Sequence, residues 1–211
     1  MLAIQGRAAD HGAPSFTITI GMPAMTASVP SPLEATRAWV ETFVVGLEVC
    51  PFAGREVTRD SIRYVEVDAT DPAAALMKLM EECWHLDEHA ETETTLMVLS
   101  EGLADFDDYL DALGMAEALL EEQGYEGIYQ LASFHPDYEF EGEAGDSPRN
   151  FTNRSPWPMW HLIREAGLER ALAHYPDPEA IPERNAALME AKGHQALAAS
   201  LAALRGASGQ G

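Results

Sequence analysis

Apolar positions along this chain follow two alternating periods, one near 3.6 residues and one near two. From Ser31 the first of these predicts a helix from about Pro32 to Val49, with Leu33, Val40, Phe43, Val44 and Leu47 on one face. Its start is spelled out in Ser31-Pro32-Leu33-Glu34: a capping serine, a proline in the first turn and a glutamate placed to reach back. Cys50-Pro51 ends it, because proline disfavours a helical residue before it. Ile62, Tyr64, Val65 and Val67 mark a strand, and Asp71-Pro72 then opens a second helix carrying Leu76, Leu79, Met80 and Cys83 on one face. Thr94 to Leu99 is a near-continuous β-rich run, as expected of a strand covered on both faces. A third helix from Asp105 turns Leu110, Leu113, Ala116 and Leu120 inward and stops at Gly124. Ile128 to Phe134 is a third strand. Ser155-Pro156 repeats the earlier helix starts, and Met159, Leu162, Ile163, Ala166 and Leu172 predict a fourth helix behind it. Gly167 inside that segment costs about 1 kcal/mol relative to alanine, which points to close packing there. After Asp177-Pro178 come two more helical stretches, about 179–192 and 195–205.

Strands alternating with helices predict an α/β fold. The expected architecture is a single domain over 31–205, a small and mainly parallel three-stranded sheet flanked by helices, with extra helices at the C-terminal end. Residues 1–30 lack any sustained period and read as a mobile extension, and 206–211 read as a flexible tail.

Charge narrows the partners. The 211 residues include 13 Lys and Arg against 35 Asp and Glu, a formal net charge of −22. Such a surface repels nucleic acid and the anionic membrane face. No apolar run is long enough to cross a bilayer, and the N-terminus lacks a basic region followed by an apolar core. With only two cysteines, Cys50 and Cys83, no disulfide framework is implied. The expectation is a cytoplasmic protein with free thiols and neither nucleic acid nor membrane as partner. Against that acidic background, any local gathering of arginines stands out.

Ser133 to Glu165 holds the densest chemistry. It follows the third strand, and ligands of open α/β sheets bind beyond the carboxyl ends of the strands. Asn153-Arg154-Ser155-Pro156 would feed a helix start, where free N–H groups favour anions, and Arg154 adds a forked donor. The bland alternative is a capped helix whose arginines offset nearby carboxylates. On a helix, His161, Arg164 and Glu165 would share one face, so the carboxylate could orient the imidazole for proton transfer. An isolated histidine of this kind is as readily a half-buried one bonded to its own helix. His135-Pro136-Asp137 could act as base and orienter, or merely end its strand. Cys50 at a helix C-terminus gains no activation from the dipole, so a partner would have to come from the fold. Cys83 reads as a core thiol. No Walker A loop, GxGxxG, GxSxG, HExxH or paired CxxC is present, and no cofactor is named by the sequence.

Four phrases, Val45 to Ala53, Tyr129 to Tyr138, Asn150 to Pro156 and Tyr175 to Asn185, resemble the family catalogued as "domain of unknown function 1415". The resemblance spans roughly 33–193. It matches this chain at Cys50, His135, Asp137, Asn150, Asn153, Arg154, Ser155 and Arg184, and it implies no activity. Glu48 departs from the family's pattern, which leads one to expect a neutral residue such as asparagine.

Three functional readings follow. The first is an enzyme acting on a small anionic molecule, carboxylate or phosphate, by hydrolysis or group transfer. Asn150, Asn153, Arg154, Ser155 and Arg164 would bind it, and His135, Asp137, His161, Glu165 and Cys50 would carry the chemistry. The second is a metal-dependent variant using His135, Asp137 and His161. The third is a non-catalytic binding or assembly protein in which the loop phrases are a hydrogen-bonded plug and Phe151, Trp157 and Trp160 face a partner.

Overall fold

The computed structural model describes residues 29–206. The extension expected over 1–30 and the tail expected over 206–211 fall outside them, apart from Val29, Pro30 and Gly206. Helix α1 (Pro32–Trp39) opens with the expected capping box: Ser31 Oγ accepts from the Glu34 amide, and Glu34 accepts from the Ser31 amide at 2.8 Å. Beyond Trp39 the helix widens into π-helical turns over Val40–Val45 and ends earlier than its apolar stripe predicts. A short α2 (Ala53–Thr58) leads into β1 (Ile62–Asp68). Asp71 caps α3 (Pro72–Glu88), β2 runs Thr94–Glu101, and Asp105 caps α4 (Phe106–Glu122) by accepting from two amides. Gly124, at φ +79°, takes the left-handed conformation that releases the chain from α4. Then come β3 (Tyr129–Phe134), a 3-10 turn at Pro148–Thr152, β4 (Met159–Arg164) and α5 (Glu165–Leu172). A 3-10 turn at Pro178–Ala180 precedes α6 (Ile181–Lys192) and α7 (His194–Leu204).

The fold is α/β, with one correction to the sheet. It has four strands in the order β1-β2-β4-β3. β1 pairs with β2 in parallel, whereas β4 lies antiparallel between β2 and β3. The three expected strands therefore do run in one direction, but two of them are joined through a fourth that the sequence presents as helix. Met159, His161 and Ile163 face one side of the sheet and Trp160 and Leu162 the other. A strand covered on both faces shows no alternation, and its Met159, Leu162, Ile163, Ala166 spacing imitates a helical stripe. Ser155 caps nothing: its hydroxyl donates to the Trp157 carbonyl at 2.6 Å. The unforeseen cap is Ser147, which accepts from the Arg149 amide at the 3-10 turn.

Two apolar layers sandwich the sheet. On one face Val65, Val67, Met97, Leu99, Trp160 and Leu162 pack under α3 and α4. On the other, Ile62, Tyr64, Leu96, Val98 and Met159 pack under α1, the π-helical turns, α6 and α7. Helix α4 buries Tyr109, Ala112, Ala116 and Leu120. Leu110, expected inward, is 41% exposed. The buried stripe starts one residue earlier than its leucines suggest, because Tyr109 has a polar task inside. Its hydroxyl donates to the Met159 carbonyl at 2.9 Å and accepts from the Phe134 amide at 3.1 Å, closing the end of the β3–β4 pair. Removing that hydroxyl leaves two backbone groups without their partner. Tyr109→Phe is therefore expected to lower unfolding free energy by about 1–3 kcal/mol, read from urea denaturation.

Candidate functional site

The main cavity, of about 660 Å³, lies on the α1/α6 side of the sheet. Ile62, Glu93, Thr94 and Leu96 contribute its floor from the starts of β1 and β2, with His161 and Ile163 from the last part of β4. It therefore sits near the amino ends of β1 and β2, beside the carboxyl end of antiparallel β4, and extends to the carboxyl end of β3 through Ala132 and Phe134. Trp39, Val40 and Val44 form one wall, and the widened turn after α1 aims the two valines into the space. Phe140, Thr152 and Asn153 come from the long loop, Leu168 and Ala171 from α5, and Ile181 and Asn185 from α6.

His161 supplies the imidazole of this cavity. It stands on β4, so Arg164 and Glu165 do not share a helix face with it. Its ring neighbours Phe134 at 6.2 Å, and Phe134 meets the Trp39 ring edge-on at 5.3 Å, so the three form one aromatic wall. Thr94 Oγ1 lies 2.6 Å from His161 Nε2 and 2.6 Å from the Leu162 carbonyl. A hydroxyl has one proton and a carbonyl can only accept, so the threonine donates to Leu162 and His161 Nε2–H donates to the threonine. That assigns the tautomer and leaves Nδ1 with its lone pair, bonded to nothing among the described residues. Burial lowers the imidazole pKa to about 4, so the ring is neutral near pH 7. Trp39, 2% exposed, lines the cavity, and its indole N–H is buried without a partner among the described residues.

Cys50 also lines the cavity, on a turn held from outside. Glu48 there has φ +55°, in the left-handed region that favours glycine and asparagine. This is the physical reason a neutral residue such as asparagine suits that position better. Arg184 Nη2 donates to the Glu48 carbonyl, and Asn185 Nδ2 donates to the Val49 carbonyl at 2.7 Å. Arg184 also donates to Tyr175 Oη at 3.2 Å, and the Tyr175 ring packs edge-on against Phe52 at 5.7 Å. The phrase around Cys50 and the phrase from Tyr175 to Asn185 thus form one clamp. Cys83, by contrast, is buried in the opposite layer, where burial pushes its thiol up to about 12.

The other expected site residues are elsewhere. His135 is fully buried against Phe106 and Tyr109, each ring 5.1 Å away, on the α4 side. Its Nε2 bonds the Leu103 carbonyl at 3.2 Å and its Nδ1 accepts from the Asp137 amide at 3.0 Å, so both nitrogens are spent. Burial holds its pKa below the usual histidine range. Asn150 is buried and pins the loop through the Phe140 amide and the Ala144 carbonyl. Arg154 donates to the carbonyls of Tyr138 and Gly145 and covers the Phe151 ring at 4.8 Å. Asn153 joins the plug through the Ser133 carbonyl while still lining the cavity. Phe151 and Trp160 are core residues and Arg205 covers Trp157, so these rings do not face outward.

Arg164 donates to the carbonyls of Leu86, His89 and Thr92, tying β4 to the end of α3. Glu165 begins α5. Arg149 lines the cavity, but Glu143, Glu183 and Glu190 each hold it within 3.2 Å. No guanidinium in this set is left for an anion, and the expected helix-start anion site is absent because β4 replaces the helix. Nor do the residues of the metal reading meet: among the described residues no three His, Cys, Asp or Glu side chains converge as metal ligands.

Of the longer set of residues singled out in the sequence, Cys50, Asn153 and His161 line one cavity. Thr94, whose partner lies 67 residues away, Glu93 and Trp39 were not singled out from the sequence. A polar threonine opening an otherwise apolar, doubly covered strand was the one local signal.

His135→Ala should lower unfolding free energy by about 2–4 kcal/mol in denaturant titration, since it empties a buried site and strands two backbone groups. For His161 the prediction concerns pH. The unfolded chain protonates this imidazole near pH 6.5 and the folded chain only near 4. Its contribution is fully present above pH 6.5 and is lost as pH falls toward 4, on the order of 3 kcal/mol. Urea titrations at pH 5 and 7 should show a smaller loss in His161→Gln than in the wild type.

A family model described as "Protein of unknown function (DUF1415)" matches residues 32–199. No curated protein and no solved structure matches. The match spans both cavity walls, the Cys50 turn and the loop plug, and on that footing the chain belongs to the DUF1415 family.

Proposed function

We propose that the cavity is a binding site for a small, mainly apolar molecule, held at its polar end by His161. The observation that carries this is the pairing of an apolar hollow of about 660 Å³ with an imidazole whose Nδ1 has no partner in it among the described residues. Ligand sites are commonly hollows of roughly 300–1,000 Å³ with apolar walls and few polar groups. Here His161 and Asn153 supply acceptors, on elements fixed by the sheet, the loop plug and the clamp on the Cys50 turn. An anionic ligand fits less well, because the arginines nearby are bonded to carbonyls and carboxylates.

A second reading, catalysis by group transfer, is favoured by one observation: Cys50 shares the cavity wall with His161. In that reading Cys50 Sγ attacks the donor's transferable group, the bond from that group to its leaving group breaks, and the thiol proton passes through His161 Nδ1 to the departing group.

Titration with Nile red, a neutral solvatochromic dye, tests the first reading. Saturable binding with blue-shifted emission is expected, lost in Ala171→Trp, which fills the cavity from α5, while that variant keeps its circular dichroism. Unchanged dye binding in a folded Ala171→Trp protein counts against the site. For the second reading, bound dye should slow alkylation of Cys50 by iodoacetamide, and Cys50→Ser should keep dye affinity. A labelling rate at Cys50 indifferent to the dye separates the thiol from the cavity.

A further inference from the structure

The charges around the cavity are lopsided. Four carboxylates line it, those of Glu56, Glu93, Glu143 and Glu183, against the single guanidinium of Arg149. Three of the four are already engaged. Glu143 and Glu183 hold Arg149 at 3.1 and 3.2 Å, and Glu56 accepts from Ser61 Oγ at 2.6 Å beside Arg59. Glu93 is different. No hydrogen-bond donor among the described residues reaches its carboxylate, and its nearest cation is Arg170 at 3.9 Å, a side chain 69% exposed and so largely screened by water.

Yet Glu93 is itself only 22% exposed, and the fold makes room for it. At Gly167 of α5 an added Cβ would overlap Glu93 Oε1. The carboxylate thus occupies the notch that a side chain at 167 would fill. This is the close packing expected of a glycine inside an otherwise good helix segment. Glu93 also directly precedes Thr94, the residue that holds His161. A half-buried, weakly paired carboxylate therefore lines an apolar cavity, one residue along the chain from the threonine that holds the cavity's imidazole. Both groups accept hydrogen bonds, and neither repels positive charge at neutral pH.

We infer that the ligand of this cavity is an amine cation, its ammonium set against Glu93 and His161 Nδ1 and its apolar body against Trp39, Phe134 and Leu168. The inference rests on the cavity being the ligand site and adds the sign of the ligand's charge. The chain's net charge of −22 works in the same direction, since it concentrates cations and excludes anions at any opening. Glu93 is then the residue that sets specificity, and Gly167 the one that gives its carboxylate a place.

Three probes of one shape test this: 2-(1-naphthyl)ethylamine, 2-(1-naphthyl)ethanol and 1-naphthylacetate, titrated calorimetrically into the full chain. The amine is expected to bind about tenfold tighter than the alcohol, a difference of about 1.4 kcal/mol, and the carboxylate weakest. Glu93→Gln should bring amine and alcohol within about twofold. Gly167→Ala, which crowds the carboxylate, should reduce the amine preference in the same direction. Amine and alcohol binding equally to the wild type, with both lost in Ala171→Trp, would overturn the amine inference and keep the cavity as a site. An amine preference that survives in Glu93→Gln would overturn it as well. Absence of binding by all three probes would count against the cavity itself.

Discussion

The antiparallel insertion of β4 between β2 and β3 is the constraint on which the rest depends. β2 and β3 run in the same direction, and each pairs with β4 along its length, from Thr94 to Val98 on one side and Tyr129 to Phe134 on the other. β3 and β4 are antiparallel neighbours that a tight hairpin could join, so the length of the His135–Pro158 connection is not imposed by the pairing. Many of its polar groups are spent on the connection itself. The His135 amide donates to the Asn153 carbonyl at 3.2 Å, Asn153 reaches back to Ser133, and Arg154 reaches Tyr138. A buried connection carries backbone donors and acceptors that water cannot serve, so the chain must serve them from its own side chains.

The same insertion puts chemistry on only one face of the sheet. Alternation along β4 sends His161 toward α1 and α6, whereas His135 leaves β3 toward α4. The two imidazoles then meet opposite ends. His135 has both nitrogens bonded and serves as internal scaffolding. His161 has one nitrogen fixed by Thr94 and the other open to a hollow. Between them the sheet excludes any joint action, and the cavity inherits its polar partners from β2, α1 and the Cys50 turn. The Arg184–Asn185 clamp on that turn holds a left-handed Glu48 in place, a conformation that costs about 1–2 kcal/mol for an L residue and persists only when neighbours enforce it.

Electrostatics follows from this placement. In a chain with so few cations, the arginines near the cavity and the long loop are used to satisfy carbonyls or carboxylates: Arg164 at the end of α3, Arg154 in the loop, Arg149 among three glutamates. Arginines clustered in sequence therefore did not translate into an anion site, because the fold had prior backbone obligations for them. What is left weakly paired near the cavity is acidic.

Local signals in the sequence were sufficient for α1, α3, α4, α6, α7 and the three parallel strands, since capping residues and periodic apolar faces act within a few residues. They also sufficed for Gly167, whose tight surroundings its helical cost announced, whereas the left-handed backbone at Glu48 came only with the structure. The identity of β4 lay beyond them. A strand covered on both faces and a buried helical segment present the same apolar run, and only the open edges of β2 and β3 decide between the two. With β4 went the site, because the pairing of Thr94 with His161, the separation of His161 from His135, and the notch that Gly167 offers Glu93 all join residues distant in sequence. Such contacts come from strand order and direction, which are properties of the assembled sheet and not of any stretch of chain.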